Sequence, residues 1–432
     1  MTRRAVGLAL LVAASAAGAR AQAERGEAFH VCRLPAGPET LGPAGPTLSA
    51  GSARQPALQT DPDCDPATEG ARFEVTYTGF PAGAEDAFQA AVDVWACRVR
   101  SSQPIRVEAV WGTLESGTLG TAGPVLFRNF DGAPARGVWY PAALADELAG
   151  RDLGDGAADI EATFNSQFPS WHTGVGPPPE NTYDLTTVVL HELAHGLGFI
   201  GSLKVEDGRG RVGPEPGGPF SYDLYARTAD GTALLDPVAF PDGSAALAVA
   251  LQREVTFDGR AARQAEGGPL ALFSPPRWVP GASFSHLDER AYETGTPNGL
   301  MTPFIGRGER VLEPGAAVCA VLADVGWGLT GDCARLVGPL PPLVAGVTVE
   351  RRGPNPFRGR TTLRLTAEPA ATLDASLYDA RGRRLLDLGR QTVVAGQTWD
   401  VTVDGGALAA GVYFVGVRGG DAPLVVPLTV AR

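Results

Sequence analysis

The chemistry this chain offers most openly lies in His191-Glu192-Leu193-Ala194-His195. Residues four apart share one face of a helix, so both imidazoles can reach a single metal ion. Glu192 lies beside them, placed to take a proton from a water that the metal makes acidic. The chain has only 5 histidines, so two at this spacing by chance would be rare. The set predicts metal-assisted hydrolysis, with His191 and His195 as ligands and Glu192 as general base.

A hydrolytic zinc site takes three protein ligands and keeps one position for water. The third ligand must therefore come from elsewhere, and His30, His172 and His286 are the remaining histidines. His172, beside Trp171, reads as a loop residue that at most lines the site. His286 sits in Ser283-Phe284-Ser285-His286-Leu287-Asp288-Glu289, upstream of Gly299-Leu300-Met301-Thr302-Pro303. A carboxylate, Asp288 or Glu289, is the alternative third ligand. Met301 and Met1 are the only methionines, so Met301 is not one of many core methionines.

His191, Glu192, His195, Gly198, His286 and Met301 together resemble leishmanolysin-type metzincin proteases, over residues 73–330. The simplest metzincins place the third histidine just past a helix-ending glycine. Gly198 matches that glycine, but the histidine's position holds Gly201. In the leishmanolysin type an insertion separates the helix from the third histidine, and a methionine turn follows. The resemblance thus implies His286 as third zinc ligand and Met301 as the turn methionine beneath the metal. Phe304 stands where some metzincins carry a tyrosine that approaches the metal, so that role is not carried over.

The elements that must position these residues follow from periodicity. Phe73–Tyr77, Ile105–Trp111 and Asp159–Asn165 alternate as strands. Ala84–Val99 is an amphipathic helix with Phe88, Ala91, Val92 and Trp95 on one face, and Ala142–Leu148 a short one. Tyr183–Leu197 is the motif helix, with Asp184 as N-cap. Residues 202–285 read as a long insertion with little regular structure, apart from a strand-like run at Phe220–Ala226 and at most a short helix at Ala245–Leu251. The fold class expected is α+β: a mixed sheet with an active-site helix, then a small all-β sandwich.

The ends carry other information. Residues 1–21 read as a signal peptide, with Arg3 and Arg4 before the apolar run Ala5–Ala17 and a small-x-small cleavage site at Ala19-Arg20-Ala21. Residues 22–70 form a leader or pro-segment, residues 71–335 the catalytic domain, and residues 336–345 a linker rich in proline. From 346 to 432 come short alternating strands: 361–366, 373–378, 398–403, 411–417 and 424–430. Gly353-Pro354-Asn355-Pro356-Phe357, Leu377-Tyr378-Asp379-Ala380-Arg381-Gly382-Arg383 and Gly411-Val412-Tyr413-Phe414-Val415 resemble the C-terminal sorting domain of bacterial type IX secretion substrates. That resemblance implies a β-sandwich, the outer-membrane type IX machinery as partner, and a secreted or cell-surface bacterial protein exported through the periplasm.

Export permits disulfides. Cys319 is close enough in sequence to pair with Cys333, and Cys64 could bridge Cys97, which would leave Cys32 as a structural thiol or a cap that keeps the metal latent; the sequence alone does not fix the connectivity. The formal charge of -12 argues against nucleic acid and anionic lipid as partners. No segment after the signal is long and apolar enough to span a membrane. The acidic run Asp61–Asp65 matches no firm calcium motif, which leaves Zn2+ as the expected metal and Ca2+ unsupported. The function expected is a secreted zinc endopeptidase acting on protein or peptide substrates. The alternative is a catalytically silent surface or adhesion protein that uses the fold as a scaffold.

Overall fold

The computed structural model describes residues 23–27, 34–35, 70–214, 217–338, 346–368, 370–379, 383–394, 397–406, 408–418 and 424–431. The expected signal peptide, most of the leader, Cys32, Cys64, Asp61–Asp65 and most of the linker lie outside these residues. The fold is mixed α/β, with helices and several separate sheets. Among the described residues no helix is long and apolar enough to cross a membrane.

The central sheet has five strands in the order Leu34–Pro35, Thr118–Pro124, Ile160–Asn165, Ile105–Gly112, Phe73–Thr78. The last three run parallel, while Thr118–Pro124 is antiparallel to Ile160–Asn165. Parallel strands need a crossover, which the helix Ala82–Ala96 provides between Phe73–Thr78 and Ile105–Gly112. That helix buries Phe88, Ala91, Val92 and Trp95 and turns Gln89 and Asp93 outward. It ends at Ala96, three residues before the expected Val99, which instead begins a strand paired to Gly328–Leu329.

The motif helix spans Leu185–Leu197, and every residue of it is buried. Its buried polar side chains, Thr186, Thr187, His191, Glu192 and His195, sit among apolar residues and must find partners inside the core. Asp184 caps it, accepting from the Thr187 N–H at 3.1 Å and from the Thr187 hydroxyl at 2.7 Å. Gly196 allows the helix to approach the sheet closely, because a Cβ there would come 2.5 Å from Ile160 Cγ2. The helix ends on Gly198 at φ 117°, a conformation that favours glycine.

Residues 202–285 are more regular than expected. They hold a three-stranded antiparallel sheet, Ala226–Thr228, Val255–Phe257 and Leu270–Leu272, with helices at Ala245–Leu251 and Arg260–Glu266. The strand-like run at Phe220–Ala226 is mostly a 3-10 turn, Tyr222–Tyr225, because Asp223 accepts the Phe220 N–H and closes the chain on itself. Beyond the methionine segment, helices Ala316–Val325 and Gly331–Val337 are joined by the Cys319–Cys333 disulfide, as the spacing predicted. Cys97 is also disulfide-bonded, and its expected partner Cys64 is not among the described residues.

Among the described residues the C-terminal strands number seven rather than five. They form one sheet of three, Gly346–Arg351, Arg360–Glu368 and Thr398–Asp404. A second sheet of four has the order Arg384–Val393, Ala371–Asp379, Gly411–Arg418, Leu424–Val430. Leu363, Leu365, Leu373, Leu377, Val401 and Val415 share one apolar core between them.

Candidate metal centre

His191, His195 and His286 come together, all fully or almost fully buried. Nε2 of His191 lies 3.1 Å from Nε2 of His195 and 3.2 Å from Nε2 of His286. Each Nδ1 meets a backbone carbonyl: Leu300 O at 2.7 Å, Phe199 O at 2.6 Å and Ala282 O at 2.7 Å, for His191, His195 and His286 respectively. A carbonyl only accepts, so each Nδ1 carries the proton and each Nε2 presents a lone pair. Lone pairs this close repel unless a cation lies among them. Ligands bound at about 2.0–2.1 Å in tetrahedral geometry sit about 3.3 Å apart, close to the spacing here. Burial lowers the pKa of His191 to about 4 and holds His195 and His286 well below their ordinary value, so all three are neutral, as metal ligands must be.

The first two ligands depend on one helix and its exit. After Gly198 the chain reverses, and the Phe199 N–H bonds back to Ala194 O at 2.9 Å. That reversal brings Phe199 O onto His195 Nδ1. Trp95 Nε1 donates to Leu190 O and Trp327 Nε1 to Leu197 O, which fixes the helix at its middle and at its C-terminal end.

The third ligand depends on the insertion. Phe273 N–H donates to His286 O and Phe284 N–H to Phe273 O, both at 2.8 Å, so the segment around His286 pairs beyond the strand Leu270–Leu272. Phe284 holds a positive φ of 76°, uncommon for a bulky residue and sustained by its packing. Gly201, where the compact metzincin pattern would place a histidine, sits beneath the Phe284 ring, and a Cβ there would collide with it. Asp223 ties the insertion to the helix exit, accepting from Ser202 N–H at 2.9 Å and Phe220 N–H at 2.7 Å as well as from the Ser202 hydroxyl.

Met301 is fully buried at the end of a 3-10 turn, Pro297–Met301, that packs against the motif helix. Its carbonyl accepts the Leu287 N–H at 2.8 Å, which links it to the third ligand. Leu300, a residue the sequence did not single out, supplies the carbonyl that orients His191. Its place between Gly299 and Met301 was the available signal.

Glu192 is fully buried beneath the strand Thr118–Pro124. Gly120 lets that strand pass, since a Cβ there would lie 3.3 Å from Glu192 Cγ. Gly120 is also where the leader meets the sheet: Leu34 pairs opposite it in antiparallel register.

The remaining candidates stay apart from the histidine cluster. His172 Nε2 contacts Gly176 O within its own loop. Asp288 binds Arg290 and caps the following turn. Glu289 is pushed up to about 7 by burial and, next, by the neighbouring Glu309. Neither carboxylate joins the three histidines, so the alternative third ligand is not supported. Phe304 packs edge-on against Phe273 and lines a small cavity beside His191.

No family model and no curated protein matches this chain. Among solved structures, the CARDB domain of a Pyrococcus furiosus protein, determined with di-metal ions, is similar over 22% of this chain and 95% of its own length. The identity is 10% and the TM-score 0.17, a likeness too slight to carry an argument.

Proposed function

We propose that this chain is a secreted zinc-dependent endopeptidase of the leishmanolysin-like metzincin type. The reading rests on one observation: three buried histidines, each with Nδ1 held by a carbonyl, bring their Nε2 atoms together at the helix that also carries the buried Glu192. A zinc ion held there would acidify a water and polarise the scissile carbonyl.

The chain's own residues do the rest. Glu192 takes the proton from the attacking water and passes it to the leaving amine nitrogen. The Leu300, Phe199 and Ala282 carbonyls keep the imidazoles in the ligating tautomer. The outer edge of Thr118–Pro124 offers backbone groups to an extended peptide, in the place that Leu34–Pro35 now takes. The C-terminal strands are read as the type IX sorting domain, and loss of residues after the linker on export would support this.

Glu192→Gln keeps the helix and the histidines but removes the base. Metal content should be unchanged and casein hydrolysis should fall by about 100- to 10,000-fold. Full activity in that variant would overturn the assignment. Bound metal without chelator-sensitive hydrolysis in the parent protein would favour the silent-scaffold alternative.

A further inference from the structure

The outer face of the four-stranded C-terminal sheet carries an open groove of about 560 Å³, lined by Asp374, Ser376, Tyr378, Arg384, Arg390 and Arg418 with Thr372 at one end. Three guanidinium groups meet there in a chain whose formal charge is -12. The backbone arranges them. Asp374 stands opposite Arg390 on one neighbouring strand and opposite Arg418 on the other. Register shifts at Ala375/Ser376 and Leu377/Tyr378 bring Arg384 opposite Tyr378, on the same face as Arg390.

Some of this charge is used within the module. Arg384 donates to the buried Ser376 hydroxyl at 2.9 Å and pairs with Asp387 at 3.0 Å. Arg390 and Arg418 are exposed, and among the described residues neither guanidinium closes a hydrogen bond or ion pair. Gly416 adds no side chain to the groove, and the Tyr378 ring lies against its backbone, where a Cβ would come 2.9 Å from Cε2.

We propose that this face binds an acidic glycan. Arg390 and Arg418 are two strand spacings apart, about 10 Å across the sheet. Asp374 lies between them and opposes a small anion placed at the centre. A ligand with anionic groups about 10 Å apart, and hydroxyls between them to donate to Asp374, meets all three residues. A polymer of uronic acid or sugar phosphate has this pattern, and the Tyr378 ring suits the C–H face of a sugar. The mostly polar lining fits a hydrated ligand rather than an apolar one.

The test is calorimetric titration of the full chain with oligogalacturonate, a phosphorylated mannan, neutral dextran and inorganic phosphate. Saturable binding of one or both acidic glycans, weakening with added salt, is expected, with none for dextran. The double variant Arg390→Gln/Arg418→Gln should lose at least tenfold in affinity with an unchanged thermal melt. Arg418→Lys, which keeps the charge but not the planar fork, should lose less. Three results would overturn the proposal: no saturable glycan binding, binding unaffected by the double variant, or inorganic phosphate binding as tightly as the glycans.

Discussion

Two regions build the histidine cluster by different means. The helix Leu185–Leu197 sets His191 and His195 by its own period, and its cap, its stop and its buried surface are local. The segment around His286 has no such period. It is placed by pairing with residues 271–273, by packing of Phe284 on Gly201, and by bonds from Asp223 back to the helix exit. A local element specifies geometry through sequence spacing, whereas a non-local one specifies it through contacts that spacing does not reveal.

The sharpest way to break that comparison is to remove one ligand from each region. His195→Ala and His286→Ala should each cost more metal affinity than the roughly 10- to 100-fold typical of residues that only support ligands. Competition with a chromogenic chelator would measure it. Unchanged affinity in His286→Ala would show that the third ligand is misassigned, leaving the helix pair as the only common ground.

A smaller effect should separate placement from ligation. Gly201→Ala touches no ligand but forces a Cβ into the Phe284 ring. Overpacking of this kind costs about 1–3 kcal/mol. Because Phe284 lies two residues before His286, the loss should appear as lower metal affinity as well as a lower melting temperature. A variant that loses stability while binding metal normally would show that the insertion can adjust without moving His286.

That difference also accounts for what the sequence made legible. The motif helix was read almost to the residue, because a 3.6-residue period, an Asp cap and a Gly stop all agree. Phe73–Thr78, Ile105–Gly112 and Ile160–Asn165 are legible for a different reason, the two-residue alternation of a strand. The strand Thr118–Pro124 was not: it is built from Thr, Leu, Gly, Ala and Pro, and is almost wholly buried, so no alternation marks it. The insertion's regular structure is not legible because its strands are three residues long and are made by their partners. His286 was reached through resemblance to a family, and its carbonyl partner Ala282 had no sequence signal.

The Asp223 anchor predicts a pH dependence. Burial pushes this carboxyl up to about 6, against hydrogen bonds that lower it. The folded chain therefore holds the proton more tightly than the unfolded chain. The associated stability is present below the unfolded pKa of about 4 and is lost as pH rises toward 6. Asp223→Asn removes the titration but turns an amide toward the N–H donors of Ser202 or Phe220, at a cost of about 1–3 kcal/mol. Melting temperatures should be lower and should vary less between pH 4 and 6 than in the parent protein. An unchanged slope would assign that window to other buried carboxyls, such as Asp159 and Asp324, which burial also raises.

The smallest effect belongs to Met301, where the two regions meet. Its carbonyl holds Leu287, and the carbonyl of its neighbour Leu300 orients His191, so the backbone of this turn serves both ligands at once. The side chain is fully buried in the shared core, and Leu is close to Met in volume. Met301→Leu should therefore cost less than about 1.5 kcal/mol in stability and leave metal affinity nearly unchanged. A large loss of metal from this variant, measured with the same chelator competition, would mean that the thioether itself supports the site. The turn's contribution would then lie in its side chain rather than in the backbone path that joins the local half of the centre to the non-local half.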